Sequence, residues 1–308
     1  MERLIIDTDP GVDDAHAIMM AVRHPNVQVE ALTVVAGNVG LHNTLRNACR
    51  ILDVLKADIP VYAGAALPLV YPAGDAAYVH GSDGLGDAGL PDSGRRVENE
   101  HAANTLVRMA NEAPSEYTLV AIGPLTNLAL ALRLDPDLPL KYKKLVVMGG
   151  AIHARGNTEN VSAEFNIYTD PEAAHVVFES WPGLVLSSWE TTMDHPIPVA
   201  VFNSWLEMDT DGARFFQSIS KPIMKLIREV MNREAMFAAD GVAMAAAVEP
   251  EIVRHAERHH VSVETTGRYT RGQTTVDWSD RSGKLPNAEV VMELDIERLF
   301  ELLKMALT

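Results

Sequence analysis

The chain has 308 residues, of which 47% are hydrophobic and 22% charged, and its formal net charge is −16. This composition is typical of a folded globular protein, and the acidic balance argues against nucleic acid or an anionic membrane as a partner, because phosphate binding requires clustered cations. The single cysteine, Cys49, excludes an internal disulfide and a cysteine-based zinc cluster. No stretch approaches the roughly 18 apolar residues of a membrane span, and the first residues show no signal-peptide pattern. We therefore expect a cytoplasmic protein.

The first half of the chain alternates short apolar runs with helical patterns. Apolar strands that alternate with helices indicate parallel strands covered by helices on both faces. The predicted fold class is therefore α/β, with an open, mostly parallel central sheet flanked by helices and a Rossmann-like core. Residues 71–95, rich in Gly, Asp and Pro, form the longest predicted loop. We predict strands at 3–7, 27–37, 60–65, 117–123, 144–150 and 183–188, and helices at 13–24, 41–57, 99–112, 125–133 and 171–180.

The second half gives weaker signals after about residue 195. We predict helices at 220–235, 240–250 and 295–308, and short strands at 259–266, 273–278 and 288–294. The chain contains no internal repeat, no low-complexity tract and no obvious linker. These observations favour a single domain spanning residues 1–308.

Unusual polar clusters follow four of the predicted strands. They are "DTDPGVDD" (7–14), "GN" (37–38), "IGPLTN" (122–127) and "MGG" (148–150). Ligands of parallel α/β sheets gather at the carboxyl ends of the strands, where loops meet helix N-termini. The four clusters therefore predict one shared site.

The first cluster places four aspartates within eight residues. Asp9 and Asp14 flank a Pro10-Gly11 turn, so both carboxylates can converge on one point. Carboxylate oxygens suit Ca²⁺ or Mg²⁺, and a cation would remove the repulsion between the aspartates. The alternative is helix N-capping by Asp13 or Asp14. Capping accounts for one or two of the four aspartates, so the pattern favours a metal.

Three further features are ambiguous when each is taken alone. Glu164 and Asn166, in "NVSAEFNIYTDPEAA" (160–174), can bind sugar hydroxyls in donor–acceptor pairs, but they also fit an ordinary polar loop. Asp240 opens an apolar helix, where an N-cap is the simpler interpretation. His80 lies in the long loop, where it is either solvated or available as an acid or a ligand contact.

Taken together, these motifs resemble the inosine–uridine-preferring nucleoside hydrolase family. The resemblance rests on "DTDPGVDD", the Asn of "AGN", "GPLTN", "VVMGG", "AEFNIYTDPEAA" and the late "D-x-x-A-x-A", in an order and spacing that match over nearly the whole chain. It implies a nucleoside-hydrolase-like α/β fold with Ca²⁺ at the base of the pocket. It also implies hydrolysis of the N-glycosidic bond of ribonucleosides to ribose and free base, and assembly as a homodimer or homotetramer.

The resemblance also implies roles for particular residues. Asp9 would be the general base that activates a metal-bound water. An asparagine that contacts the 5′-hydroxyl is expected upstream of Glu164, and Asn157 is the first choice with Asn160 as its rival. The calcium ligands would be Asp9, Asp14, Asp240 and the backbone carbonyl of Ile122; the substrate contacts would be Asp13, Asn38, Glu164, Phe165 and Asn166, with Met148 on the floor of the pocket and His80 near the base.

One position departs from the resemblance. Many family members carry a histidine directly before the late aspartate, as the acid that protonates the leaving base, whereas this chain has Ala239. His80, Tyr269 or Trp278 are candidates to contribute there. The motifs also fit two alternative functions. One is a calcium-dependent ribose or nucleoside binder without turnover, although binding alone would not require Asp9 as a base. The other is a hydrolase of another ribosylated metabolite. A haloacid-dehalogenase-like phosphotransferase would require a later acidic motif that the sequence lacks.

Overall fold

The computed structural model describes residues 1–72, 74–225, 227 and 234–308. The strands in these ranges are β1 (Glu2–Thr8), β2 (Val27–Val34), β3 (Val61–Ala63), β4 (Tyr117–Ala121), β5 (Lys144–Met148), β6 (Leu184–Ser187), β7 (Ile197–Pro198), β8 (Ala235–Met236), β9 (Val253–His259), β10 (Val261–Val263), β11 (Thr274–Val276) and β12 (Ala288–Leu294). The helices are α1 (Val12–Arg23), α2 (Leu41–Leu55), α3 (Ala77–His80), α4 (Ala102–Glu112), α5 (Thr126–Leu134), α6 (Phe165–Thr169), α7 (Pro171–Ser180), α8 (Trp189–Met193), α9 (Val199–Leu206), α10 (Asp211–Lys225), α11 (Ala239–Val248) and α12 (Ile296–Met305).

The central sheet has eight strands in the order β3-β2-β1-β4-β5-β6-β12-β9. Neighbouring strands run parallel except β9, which is antiparallel to β12 at the edge. Side chains alternate across β1, so that Leu4 and Ile6 enter one core and Ile5 enters the other. The mostly parallel α/β sheet predicted from the sequence is thus confirmed.

Helices cover both faces of this sheet. Buried side chains of α1, α2, α10, α11 and α12 pack with Leu4 and Ile6, and those of α4, α5 and α7 pack with Ile5. Cys49 is buried on α2, as its helical pattern indicates. Because both faces are covered, the exposed ends of the strands are the places where loops can form a site.

Several predicted elements are corrected by the structure. The edge strand β9 was not predicted, and α6, α8 and α9 were not predicted either. The helix expected at 220–235 is wrong in its bounds, because α10 begins at Asp211 and residues 235–236 belong to strand β8. The remainder of that prediction falls largely on residues 226 and 228–233, which lie outside the described residues.

The segment predicted as a long loop contains a short helix. α3 occupies residues 77–80, and the turn that follows is closed by a hydrogen bond from the Gly86 N–H to the His80 carbonyl at 2.7 Å. His80 is buried rather than solvated. Across the ranges described above, no helix has the length and apolar character needed to cross a membrane.

Candidate active site

A cavity of about 210 Å³ opens at the carboxyl ends of β1, β2, β4 and β5. Polar residues, several of them from the predicted strand-end clusters, line it together with apolar and aromatic residues. The lining comprises Asp13, Asn38, Ala76, Tyr78, Val79, His80, Ile122, Met148, Asn157, Glu164, Phe165, Asn166, Trp189, Ile223, Ile227, Phe237, Ala239 and Asp240.

The turn between β1 and α1 is held by the Asp14 carboxylate. Its Oδ2 accepts the Gly11 N–H at 2.9 Å, and its Oδ1 accepts the Thr8 hydroxyl at 2.5 Å and the Asp9 N–H at 3.2 Å. Asp14 therefore satisfies amides at the start of α1, as the capping alternative predicted. Glycine is required at position 11, since a Cβ there would lie 2.7 Å from Asn38 Nδ2 and 2.7 Å from His80 Nδ1.

Three carboxylates meet beside this turn. Asp13, Asp14 and Asp240 each present an oxygen within 4.8 Å of the other two. Burial, followed by the charges of Asp13 and Asp14, raises the pKa of Asp240 well above its ordinary value. Burial and the neighbouring Asp13 charge raise the pKa of Asp14 to about 6. Within the described part of the chain, no lysine or arginine lines the cavity to balance these groups.

Asp9 lies next to this trio but is not one of its members. Its Oδ2 accepts the Asn38 N–H at 2.7 Å, and the Asn38 side chain donates to the Asp9 carbonyl at 3.1 Å and to Asp14 Oδ2 at 3.0 Å. Gly37 permits this packing, because a Cβ there would lie 2.1 Å from Asp9 Oδ2. Burial and the charge of Asp14 raise the pKa of Asp9 well above its ordinary value.

The donor set suits a hard divalent cation. The Oδ1 atoms of Asp9 and Asp13 are buried, and neither has a hydrogen-bond partner in the residues that the structure describes. Unpartnered buried carboxylate oxygens are costly unless a positive charge compensates them. Clustered carboxylate oxygens are the ligands that Ca²⁺ and Mg²⁺ prefer. The residues present therefore fit a cation of this kind.

Glu164, the residue before α6, also lines the cavity. Its carboxylate accepts three backbone N–H groups, those of Gly150 at 2.9 Å, Asn166 at 2.9 Å and Ile167 at 3.2 Å. Burial raises the pKa of Glu164 to about 7, against the lowering effect of these amides. The Asn166 side chain donates to the carbonyls of Ile122 at 3.1 Å and Met148 at 3.4 Å, so it joins the ends of β4 and β5.

The two candidate asparagines upstream of Glu164 occupy different environments. Asn157 lines the cavity at its exposed rim. Asn160 is used within its own loop, where its Oδ1 accepts from the Thr158 hydroxyl at 2.8 Å and its Nδ2 donates to the Arg271 carbonyl at 2.7 Å. The structure thus brings Asn157, and not Asn160, to the cavity wall.

Most of the apolar lining of the cavity was not predicted from the sequence, although Met148 and Phe165 were. The members that were not predicted include Trp189, which begins α8 directly after β6, and Phe237, whose ring centroid lies 6.0 Å from that of Trp189. Ala239, the position that departs from the resemblance, also lines the cavity. Tyr269 and Trp278, named from the sequence as candidates to assist the leaving base, are not among the lining residues; Trp278 instead stacks on His153 with a centroid distance of 5.0 Å.

Comparisons with known proteins agree with this geometry. The model of the family described as "Inosine-uridine preferring nucleoside hydrolase" matches residues 4–301. The non-specific ribonucleoside hydrolase RihC of Salmonella newport is 38% identical over 295 residues, which cover 96% of this chain and 94% of that protein. A solved inosine-guanosine nucleoside hydrolase is 37% identical, with a TM-score of 0.92 over 99% of this chain and 98% of the other. The plant nucleoside hydrolase PpNRh1 gives 33% identity and a TM-score of 0.93, covering 100% and 99%.

The fold and the acidic cavity define an α/β enzyme with its site at the carboxyl ends of parallel strands. The match along residues 4–301 and the identity to relatives of similar length make the family explicit. The chain belongs to the inosine-uridine preferring nucleoside hydrolase family. The resemblance inferred from the sequence is confirmed, and the phosphotransferase alternative is wrong.

Proposed function

We propose that this chain hydrolyses the N-glycosidic bond of ribonucleosides to ribose and free base, in a Ca²⁺-dependent reaction carried out by a single domain. The observation that carries the proposal is the trio of Asp13, Asp14 and Asp240, of which Asp14 and Asp240 are buried, in the same cavity as Glu164 and Asn166. The three relatives described above are named as nucleoside hydrolases, which supports the proposal independently.

The proposed calcium ligands are Asp9, Asp14, Asp240 and the carbonyl of Ile122. Ile122 already accepts one hydrogen bond from Asn166, but a carbonyl oxygen has two lone pairs and can accept a second partner. Ca²⁺, when bound, would position and polarise the attacking water. Asp13 belongs to the same trio, and we assign its carboxylate to a ribose hydroxyl at the edge of the cation site.

Asp9 is the proposed general base. Asn38 holds its Oδ2, while its Oδ1 has no hydrogen-bond partner in the described residues and is left to accept a proton from the attacking water. Departure of the base leaves an oxocarbenium-like ribosyl centre, as in other glycoside hydrolyses. The surrounding carboxylates, fixed before the reaction begins, stabilise this positive charge.

The remaining contacts divide between the sugar and the base. We assign Asn38, Asn157, Glu164 and Asn166 to the ribose hydroxyls, because amide and carboxylate groups offer both donors and acceptors there. The aromatic side of the cavity then receives the planar base by stacking. Met148 and Phe165 complete the wall between these regions, and His80 is assigned to the base.

The first test measures ribose release from inosine, adenosine, uridine and cytidine, with Ca²⁺ and with a chelator. We expect release that disappears on chelation and returns when Ca²⁺ is added back, and the relative rates rank the bases. Calorimetric titration of the chelated protein with Ca²⁺ gives a readout that does not depend on turnover. Ribose release that is unaffected by chelation would refute the calcium requirement, and absence of release from every nucleoside would refute the substrate class.

Two further proposals concern the state of the protein in the cell. The family resemblance leads us to propose a homodimer or homotetramer in the cytoplasm. Light scattering of the purified protein checks the assembly, where a monomer mass would contradict it. Fractionation of cells that express the chain checks the location.

A further inference from the structure

The imidazole of His80 is hydrogen-bonded in a way that fixes its proton. The backbone N–H of Val12, the first residue of α1, donates to His80 Nδ1 at 3.1 Å. A backbone N–H can only donate, so Nδ1 must carry a lone pair and no proton. A neutral imidazole with an unprotonated Nδ1 carries its single N–H on Nε2. This contact also satisfies one of the amides left free at the start of a helix.

The ring has little freedom to leave this arrangement. The His80 N–H donates to the Ala76 carbonyl at 3.0 Å, and the His80 carbonyl accepts the Gly86 N–H at 2.7 Å, so the backbone is tied on both sides. Gly11 admits the ring, since a Cβ at that position would lie 2.7 Å from Nδ1. His80 lines the cavity, and Nε2 has no hydrogen-bond partner among the residues described, which leaves it available to a ligand.

The charged groups that face the ring are Asp13 and Asp14. Asp13 Oδ1 lies 3.8 Å from Nδ1, outside hydrogen-bond distance, and the Asp14 charge favours a protonated ring. The Val12 contact alone fixes the tautomer, because an N–H donor requires a lone pair on Nδ1.

We propose that His80 acts on the departing base as a fixed, neutral Nε2–H hydrogen-bond donor, and not as the acid that protonates it. The inference rests on the proposed function. It predicts that the substrate's base carries a hydrogen-bond acceptor at its edge and that the base leaves without receiving a proton from His80. The aromatic residues of the cavity lining supply stacking to the same base.

The test compares His80→Gln and His80→Leu with the wild-type holoenzyme on inosine across pH 5 to 9. Glutamine keeps both a donor and an acceptor but cannot be protonated. For a donor we expect His80→Leu to lose about three- to tenfold in kcat/KM, the size of a neutral hydrogen bond. His80→Gln should recover most of this loss and leave the acidic limb of the profile unchanged. A loss of about 10²–10⁴-fold in both variants, the size of a lost general acid, would overturn the proposal.

A spectroscopic measurement makes the test independent of turnover and of the variants' activity. The imidazole ¹⁵N resonances of the wild-type protein that disappear in His80→Gln report the tautomer directly. We expect the ring proton on Nε2 and a lone pair on Nδ1 at pH 7.5, and a ring that carries its proton on Nδ1 would overturn the proposal. His42→Gln, on the exposed side of α2, is the matched control. If the tautomer is as expected and no nucleoside releases ribose, the proposed function has failed and the assignment of the His80 proton has not.

Discussion

Calcium is expected to raise the thermal stability of this chain more at pH 8 than at pH 5. The prediction follows from the trio of Asp13, Asp14 and Asp240, whose oxygens lie within 4.8 Å of one another. At this outer separation of 4.8 Å, two carboxylates repel each other by about 3.5 kcal/mol at an effective dielectric constant of about 20. Without a cation, three ionised groups cannot share the site at low cost, so the folded protein retains protons there.

The sign of the pH dependence follows from the raised pKa values. Asp14 has a pKa of about 6 in the folded chain, against an ordinary value of 3.8. Between these values the unfolded chain ionises while the folded chain stays protonated, so folded stability falls as pH rises. For Asp14 alone, the free energy of unfolding is about 3 kcal/mol lower once the pH exceeds 6 than it is below pH 3.8. A bound cation offsets this repulsion above pH 6, whereas protons compete with the cation near pH 5.

Scanning calorimetry with Ca²⁺ and with a chelator at the two pH values checks the prediction. At a calcium concentration about 100 times Kd the expected gain is about 2.7 kcal/mol, which corresponds to a shift in Tm of about 4 °C for a chain of this length. Asp240→Asn should lose the shift, and Asp58→Asn, at an exposed position before β3, should keep it. Equal shifts at pH 5 and pH 8, or a shift that persists in Asp240→Asn, would refute this reasoning.

Three further variants test other parts of the structure. Asn47→Ala should lower the free energy of unfolding, measured in urea, by about 3 kcal/mol, because the buried Asn47 Nδ2 donates to the carbonyls of Pro10 at 3.0 Å and Asp83 at 2.8 Å. The control Asn43→Ala removes an exposed hydrogen bond to the same loop and should lower the free energy of unfolding by less than half of that amount. Burial lowers the pKa of His16 to about 4 in the folded chain. As the pH falls from 6.5 to 4, the free energy of unfolding of the wild-type chain should therefore decrease by about 3 kcal/mol more than that of His16→Gln. Equal decreases in the two proteins would contradict that pKa. Asp9→Asn should lower kcat by about 10²–10⁴-fold with Ca²⁺ bound, and retention of full kcat would exclude Asp9 as the base.

The parallel part of the sheet was predictable because its strands are buried on both faces. β1 contains the run "LIID", whose side chains are all buried, and such apolar runs are distinct from the helices around them. β9 gave no such signal. Its sequence, "VRHAERH", places Arg254 and His255 in solvent at the edge of the sheet, where a strand needs only one partner and no apolar alternation.

The polar wall of the site was predictable and the aromatic wall largely was not. The clusters that contain Asn38, Ile122 and Met148 were found because they lie at strand ends, and the family resemblance gave these residues their roles. The same rule applied to β6 would have found Trp189, which comes two residues after the strand ends. Phe237 has no local signal of this kind. It follows β8, which pairs with β7 outside the central sheet, so its place in the cavity is a consequence of tertiary packing rather than of spacing.

The aspartate cluster shows why two interpretations of one motif need not exclude each other. Capping and metal binding were set against each other in the sequence, yet the Asp14 carboxylate accepts the Gly11 N–H and also belongs to the trio. A carboxylate has about four acceptor positions, so it can hold a helix start and face a cation at once. Spacing alone could not show that Asp13 joins the trio while Asp9 is held by Asn38, because the direction of each side chain depends on the Pro10-Gly11 turn. The proposed ligand set therefore predicts that Asp9→Asn loses more Ca²⁺ affinity in titration than Asp13→Asn, and the reverse order would place Asp13 on the cation instead of Asp9.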